Sequence, residues 1–189
     1  MAISGKLQEL LNASKVTYTT AKHPTAYTAQ ELAAALHVPG RSVAKSVLVK
    51  TNRGNALAVL PAVALIDLKK LKAALKAATI SIGKESDIKA QFPDVEVGAM
   101  SPFGNLYGVP VVAEKLLSES AQIVFNAGSH TDTITMPYED FARLVKPTIG
   151  VFALPIGGPK KAKKKRAASS KKKKKPARRP SAKRKPRRS

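Results

Sequence analysis

The 189-residue chain contains no cysteine. That absence excludes a disulfide framework, a thiolate zinc site and a cysteine nucleophile. There is no run of about 18 apolar residues, so no transmembrane helix is expected. The opening residues, Met1-Ala2-Ile3-Ser4-Gly5-Lys6, lack the charged-then-apolar layout of a secretory signal. The three histidines, His23, His37 and His130, stand in separate segments without metal-ligand spacing. No Ser-His-Asp set is visible either. The expectation is a cytoplasmic soluble protein that needs no metal or other cofactor and is long enough for one domain with a real core.

Acidic residues are missing from one part of the chain altogether. Residues 160–189 carry 18 of the 34 Lys and Arg and none of the 12 acids. The net charge of +22 therefore describes a nearly balanced body, with sixteen basic residues against twelve acids, joined to a strongly cationic tail. The tail also lacks aromatics and any aliphatic larger than alanine. It cannot bury enough apolar surface to offset its ordering entropy, and disorder is expected. Pro155-Ile156-Gly157-Gly158-Pro159 reads as a linker, giving a domain at 1–153, a Pro/Gly linker at 154–159 and a basic tail at 160–189.

In the body, Val43-Ala44-Lys45-Ser46-Val47-Leu48-Val49-Lys50 reads as a strand, since branched residues dominate and faces alternate. Lys45 shares its face with Val43, Val47 and Val49. A lysine there is costly unless it is paired, meets a ligand, or carries its amine along the stem to water.

Helical spacing of Ile3, Leu7, Leu10 and Leu11 predicts a first helix over 3–14. A weak strand over 16–22 ends at His23-Pro24. Thr28-Ala29-Gln30-Glu31 matches a capping box opening a helix that stops before Pro39-Gly40. The turn Asn52-Arg53-Gly54-Asn55 predicts a hairpin, with a returning strand over 56–63. Asp67 is the expected N-cap of a helix carrying Leu68, Leu71 and Leu75. Its lysines, Lys69, Lys70, Lys72 and Lys76, read as a solvated face. A short strand over 79–82 and a short helix over 86–92 follow. Strands over 109–113, 121–125 and 131–136 then precede a helix over 138–145. Many short strands with interspersed helices predict one α+β domain built on a mixed, barrel-like sheet flanked by helices.

Three pieces carry a resemblance together: Val43-Ala44-Lys45-Ser46, the loop Gly98-Ala99-Met100-Ser101-Pro102 with Phe103-Gly104, and Phe125-Asn126-Ala127-Gly128-Ser129-His130-Thr131. They resemble the YbaK/EbsC-type family of prolyl-tRNA-synthetase-associated editing domains and their free-standing relatives, over roughly residues 1–153. The resemblance implies hydrolysis of aminoacyl-tRNA carrying the wrong amino acid, typically a small one on proline tRNA. It places the family lysine at Lys45, the Gly-x-x-x-Pro loop at Gly98 to Pro102, and the glycine-histidine segment at Gly128 to His130. Lys45, Gly98, Pro102, Gly128 and His130 are the expected catalytic set. Ser46, Ala99, Met100, Ser101, Phe103, Gly104 and Ser129 are the expected substrate contacts.

The chemistry suits these residue types. Ester cleavage passes through an oxyanion, and backbone N–H groups in a glycine loop can point at it, a contact worth about 3–4 kcal/mol in other enzymes. Lys45 could neutralise a terminal phosphate, hold the carbonyl, or serve as a base. A size-limited pocket would do the discrimination, because missing one methylene contact alone gives only about 10–200-fold.

The tail is expected to bind phosphate backbones without sequence preference, through Lys163, Lys164, Lys165, Lys171, Lys172, Lys173, Arg178, Arg179, Arg184 and Arg187. Aminoacylated tRNA is the expected partner, with prolyl-tRNA synthetase and, through the tail, rRNA or DNA as further ones. The alternative from another class is a non-catalytic nucleic-acid-binding protein on an editing-domain scaffold.

Overall fold

A computed structural model describes residues 3–155. Its largest sheet has five strands in the order β5-β2-β3-β6-β9. At its centre is the hairpin of β2 (Ala44–Thr51) and β3 (Gly54–Pro61), antiparallel with Lys45 opposite Leu60. Gly54 closes the turn at φ +108, a conformation glycine adopts without strain. β5 (Ile80–Ile82) pairs antiparallel with the end of β2, whereas β6 (Val111–Glu114) and β9 (Thr148–Gly150) run parallel to β3. The sheet is thus mixed, as the strand count predicted.

β3 is buried without interruption from Ala56 to Pro61, because both of its faces are covered. On one face, Leu48, Leu57, Val59 and Ala113 join Leu7 and Leu11 of α1 (Gly5–Ala13) and Phe141 of α5 (Tyr138–Val145) in the main core. On the other, Val49, Ala58, Leu60 and Val112 pack under Leu71 of α3 (Leu68–Ala74) and Phe152. Asp67 caps α3 as expected, accepting from the N–H groups of Lys69 and Lys70 at 3.0 and 3.2 Å.

A second sheet holds β1 (Thr19–Lys22), β8 (Asp132–Pro137) and β7 (Gln122–Asn126), all antiparallel. It meets the large sheet at a single bridge between Val43 and Val124. α2 (Ala29–Ala35) lies over that junction, with Leu32 packed on Val43, Ala62 and Val124. Its capping box forms as the sequence predicts. The N–H of Glu31 donates to the Thr28 hydroxyl at 3.1 Å, and the N–H of Thr28 donates to the Glu31 carboxylate at 3.1 Å.

The strands do not close into a barrel. Among the described residues the strands divide into three sheets, and none closes on itself. The single bridge at Val43 is too short a ladder to fuse the two larger ones. The third sheet pairs β4 (Ala64–Ile66) with β10 (Ala153–Pro155). β10 carries the chain two residues past the expected domain end at 153. The buried carboxylate of Glu114 fixes its start, accepting from the N–H groups of Phe152 and Ala153 at 2.6 and 2.7 Å. The rest of the expected linker, 156–159, and the basic tail, 160–189, lie outside the described residues.

Helix α4 (Glu85–Gln91) and two 3-10 turns (Gly104–Tyr107 and Lys115–Glu119) complete the order. No helix among the described residues is long and apolar enough to cross a membrane.

Candidate active site

The first turn of α2, the start of β2, the end of β7 and the turn at Gly98 enclose a cavity of about 240 Å³. Lys45, Ser46, Gly98 and Met100 line it, together with Tyr27, Gln30 and Asn126. Three segments that are far apart in sequence therefore meet at one hollow, and they are the same three that carried the resemblance.

Lys45 is half-buried, and its Nζ donates to the carbonyl oxygen of Ala64 at 2.5 Å. Burial pushes its ammonium below the ordinary lysine range. Ser46 and Asn126 also line the cavity, and their side-chain oxygens, Oγ and Oδ1, are buried with no hydrogen-bond partner among the described residues. Unpaired buried polar atoms are rare and costly, and two of them beside a cavity mark a surface able to take polar groups from a ligand.

The Gly98 turn is built for close approach. Gly98 has φ +92, where a side chain would be strained. The N–H of Ala99 donates to the carbonyl of Glu96, which leaves the N–H groups of Gly98 and Met100 without an acceptor among the described residues. Both residues line the cavity.

The Gly128 segment supports this turn from behind. Gly128 has φ +112, and its carbonyl accepts from the N–H of Glu96 at 2.9 Å. The Glu96 carboxylate in turn accepts from the N–H of His130 at 2.9 Å. The His130 ring is buried, with Nδ1 at 3.1 Å from the Ala26 carbonyl oxygen and Nε2 at 2.9 Å from that of Val97. Its ring stands 5.0 Å from that of Tyr27, which does line the cavity. His130 thus ties the two walls together and does not itself line the hollow.

Several expected contacts lie elsewhere. Phe103 is fully buried in the main core, 5.7 Å from Phe125 and 5.8 Å from Phe141, ring to ring. Gly104 is needed for packing, since a Cβ there would fall 2.8 Å from the Val109 carbonyl oxygen. Ala99, Ser101 and Pro102 are buried beneath the turn and do not line the cavity. The Ser129 hydroxyl donates to Asp132 at 2.7 Å, shaping its own turn. That hydroxyl holds the Asp132 carboxyl below the usual carboxylate range, against the opposing effect of burial. His23 is buried with its Nδ1 at 2.7 Å from the Pro24 carbonyl oxygen, and His37 is exposed at the end of α2.

Tyr27, Gln30, Asn126 and Glu96 were not singled out from the sequence. Asn126 sits inside the segment that carried the resemblance, so its polarity between Phe125 and Ala127 was a usable signal. Glu96 had none, because its role rests on a contact 34 residues away. No group of three or more His, Asp or Glu side chains gathers at metal-binding spacing among the described residues.

Fold and site define a small α+β domain with a polar cavity between a lysine-bearing strand, the first turn of α2, the end of β7 and the glycine turn at Gly98. The model of the aminoacyl-tRNA editing domain matches residues 23–144, and the chain belongs to that family. It is 27% identical over 151 residues to the prolyl-tRNA editing protein ProX of Acetoanaerobium sticklandii, a match covering 77% of this chain and 89% of that one. The fold is shared with the solved structure of the hypothetical protein APE2540, at a TM-score of 0.72 and 15% identity over 78% of this chain and 99% of that one. It is also shared with the structure of a candidate trans-editing enzyme for prolyl tRNA synthetase, at a TM-score of 0.69 and 14% identity, covering 79% and 95%.

Proposed function

We propose that the chain is a trans-acting aminoacyl-tRNA deacylase. It hydrolyses the ester of a mischarged tRNA that carries a small amino acid, with proline tRNA as the carrier. The observation that carries this reading is the polar cavity of about 240 Å³, with Lys45 beside two unpartnered side-chain oxygens, in an editing-domain chain.

Each polar atom then has a task. The α-ammonium of the amino acid donates to Asn126 Oδ1, and the Ser46 hydroxyl meets the ester or the neighbouring ribose hydroxyl. A water oxygen bonds to the carbonyl carbon, and the carbonyl electron pair moves onto its oxygen. The N–H groups of Gly98 and Met100 stabilise that oxyanion. The attacking water gives up a proton as the tetrahedral centre collapses, the carbon–ribose-oxygen bond breaks, and the ribose oxygen takes up that proton. Free amino acid and uncharged tRNA leave. Lys45 supplies positive charge to the carbonyl or to the terminal phosphate. Met100 and Tyr27 limit the size of the side chain admitted.

The basic segment 160–189 is a nucleic-acid anchor in this reading, with an affinity that falls steeply as salt rises. Removing it after Gly158 leaves hydrolysis at saturating substrate intact, raises the apparent KM for tRNA and flattens the salt dependence of binding. Prolyl-tRNA synthetase is the synthetase whose errors such an enzyme would correct.

The test is hydrolysis of alanyl-, cysteinyl- and seryl-tRNA of the proline type by the purified protein, beside Lys45→Ala. Selective release that depends on Lys45 supports the deacylase. No release from any of them, with the protein folded and RNA bound, replaces it with the non-catalytic scaffold.

A further inference from the structure

Ser4, Asp94 and Tyr107 come from three segments far apart in sequence and meet outside the cavity. The Ser4 hydroxyl donates to Asp94 Oδ2 at 2.8 Å, and the Tyr107 hydroxyl donates to the same oxygen at 3.0 Å. The two hydroxyls stand 3.2 Å apart. The Lys6 ammonium lies over the Tyr107 ring, 4.7 Å from its centre. Asp94 is exposed, so water alone could satisfy its carboxylate. Two hydroxyls converge on it instead, and ordering those side chains carries an entropic cost that a solvated carboxylate avoids.

The chemistry fixes the direction of these bonds. Desolvation works against ionisation of Asp94, yet the hydroxyls of Ser4 and Tyr107 hold its carboxyl below the usual carboxylate range. Burial pushes the Tyr107 phenol up to about 12, helped by the Asp94 carboxylate and opposed by the Ser4 hydroxyl. At neutral pH the cluster therefore holds one carboxylate that accepts and two hydroxyls that donate. Tyr107 is itself held in place. Its ring packs edge-on against Phe92 at 4.7 Å, and its carbonyl accepts from Gln91 Nε2 at 3.0 Å.

Ser4 grips two chains at once. Its buried backbone N–H donates to the Ala127 carbonyl at 2.9 Å, and its carbonyl accepts from the N–H groups of Leu7 and Gln8 to open α1. Its hydroxyl holds Asp94. Ala127 directly follows Asn126, and Asp94 precedes Gly98 by four residues, so both gripped chains run into the cavity. Glu96 ties the same two chains a second time, through Gly128 and His130. One tie alone would act as a hinge, whereas two at separate points fix both spacing and angle. Ser4 also stands outside residues 23–144, the stretch that matches the editing domain.

We infer that Ser4 and Asp94 are positioning residues for the cavity: the start of α1 sets where the Asn126 oxygen stands relative to the N–H groups of Gly98 and Met100. The inference rests on the deacylase reading, in which the first atom meets the α-ammonium and the other two meet the oxyanion. Groups that bracket one carbonyl carbon tolerate little drift. A misplacement of about 1 Å from a distant change can lower the rate by about 10²-fold.

The experiment compares the full chain with Ser4→Ala, Asp94→Ala, Asp94→Asn and Leu11→Val. Leu11→Val thins the core beneath α1 without touching the cluster, so it separates general destabilisation from positioning. Asp94→Asn keeps an acceptor oxygen, and Asp94 is exposed, so its variants test the idea even where Ser4→Ala fails to fold. NMR signals of the Gly98 and Met100 amides and of the Asn126 side-chain amide report on the cavity without substrate. Ser4→Ala and Asp94→Ala should shift all three signals and lower kcat toward mischarged tRNA by about 10–10²-fold, with a smaller change in KM. Asp94→Asn should recover most of both. Leu11→Val should lower the denaturation midpoint and leave the signals and kcat as in wild type. Unmoved signals in Asp94→Ala, or a loss of kcat no larger than that of Leu11→Val, would overturn the positioning role and leave the deacylase untouched. Absence of hydrolysis by the wild type would overturn the deacylase instead, and the three signals would still decide whether Ser4 and Asp94 set the spacing.

Discussion

The carboxylate of Glu96 accepts a hydrogen bond from the backbone N–H of His130 at 2.9 Å, while the N–H of Glu96 donates to the carbonyl of Gly128 at the same distance. One residue thereby joins the glycine turn that borders the cavity to the one that supports it from behind. Glu96→Ala leaves the buried N–H of His130 without an acceptor, which costs about 1–3 kcal/mol. Glu96→Gln keeps an acceptor oxygen and loses less. Thermal melts should rank wild type above Gln and Gln above Ala. Equal melting temperatures for Ala and wild type would show that the contact contributes nothing.

Lys45 tests chemistry against stability. Lys45→Met removes the positive charge from the cavity wall, and turnover should fall by about 10²–10³-fold, the usual loss for one transition-state donor. Stability should respond to pH in the opposite sense from most lysines. Burial lowers the folded-state pKa, so between that value and the unfolded value of 10.5 the unfolded chain binds more protons. Wild-type stability therefore gains with rising pH in that window, and the burial penalty is fully present below it. Urea midpoints of wild type and Lys45→Met, compared from pH 7 upward, should converge toward alkaline pH in favour of wild type. A difference that stays constant with pH would remove the burial argument.

Some of this architecture was readable from the residues and some was not, for reasons that differ in range. The Thr28–Glu31 box and the Asp67 cap act within one helical turn, so local spacing contained them. The hairpin from Lys45 to Leu60 needed only the turn at Asn52-Arg53-Gly54. By contrast, β4 pairs with β10 across roughly 90 residues, and no local pattern reports such a partner. The division into three sheets has the same origin. It turns on one bridge at Val43 and on how far each ladder extends. In the site, the glycines at 98 and 128 were legible because their residue type reports their backbone. Which way the loop's other side chains face was not, and Phe103 turned inward among Phe125 and Phe141.

Phe103 separates core from pocket directly. Phe103→Ala should cost about 3–5 kcal/mol, as large aromatic truncations in cores do. Phe103→Leu keeps an apolar side chain and should leave the preference among alanyl, cysteinyl and seryl esters unchanged. A shift in that preference with little change in the melting temperature would return Phe103 to the pocket.

Gly128 is held at φ +112, and a Cβ there would meet Ser4 Cβ at 3.4 Å and Ser4 N at 3.4 Å. The space is sufficient, since 3.4 Å is ordinary van der Waals contact, so the cost comes from the backbone conformation, beside Ser4, whose N–H donates to the Ala127 carbonyl. Gly128→Ala should destabilise by more than about 1 kcal/mol, the penalty expected for alanine forced to positive φ. Chemical denaturation measures it, and a neutral result would mean that the turn relaxes at no cost.

Asp132 gives the acid side of the pH profile. Its carboxylate accepts from the hydroxyls of Ser129 at 2.7 Å and Thr131 at 2.9 Å, and the Ser129 contact is the leading reason that its pKa is lowered. The unfolded chain therefore holds this proton more tightly than the folded one. Stability from Asp132 is fully present above the ordinary aspartate range and is lost as pH falls through the lowered folded value. Asp132→Asn cannot ionise and lacks that dependence. Denaturation midpoints from pH 7 to pH 3 should fall more steeply for wild type than for Asp132→Asn, with the two curves approaching each other at the acid end. Because Asp132 shapes the turn that leads through Ser129 to His130, the same variant should also loosen the grip of His130 on Ala26 and Val97. That loosening would appear as a raised KM at pH 7 with the protein still folded, and parallel stability curves together with an unchanged KM would leave Asp132 without either role.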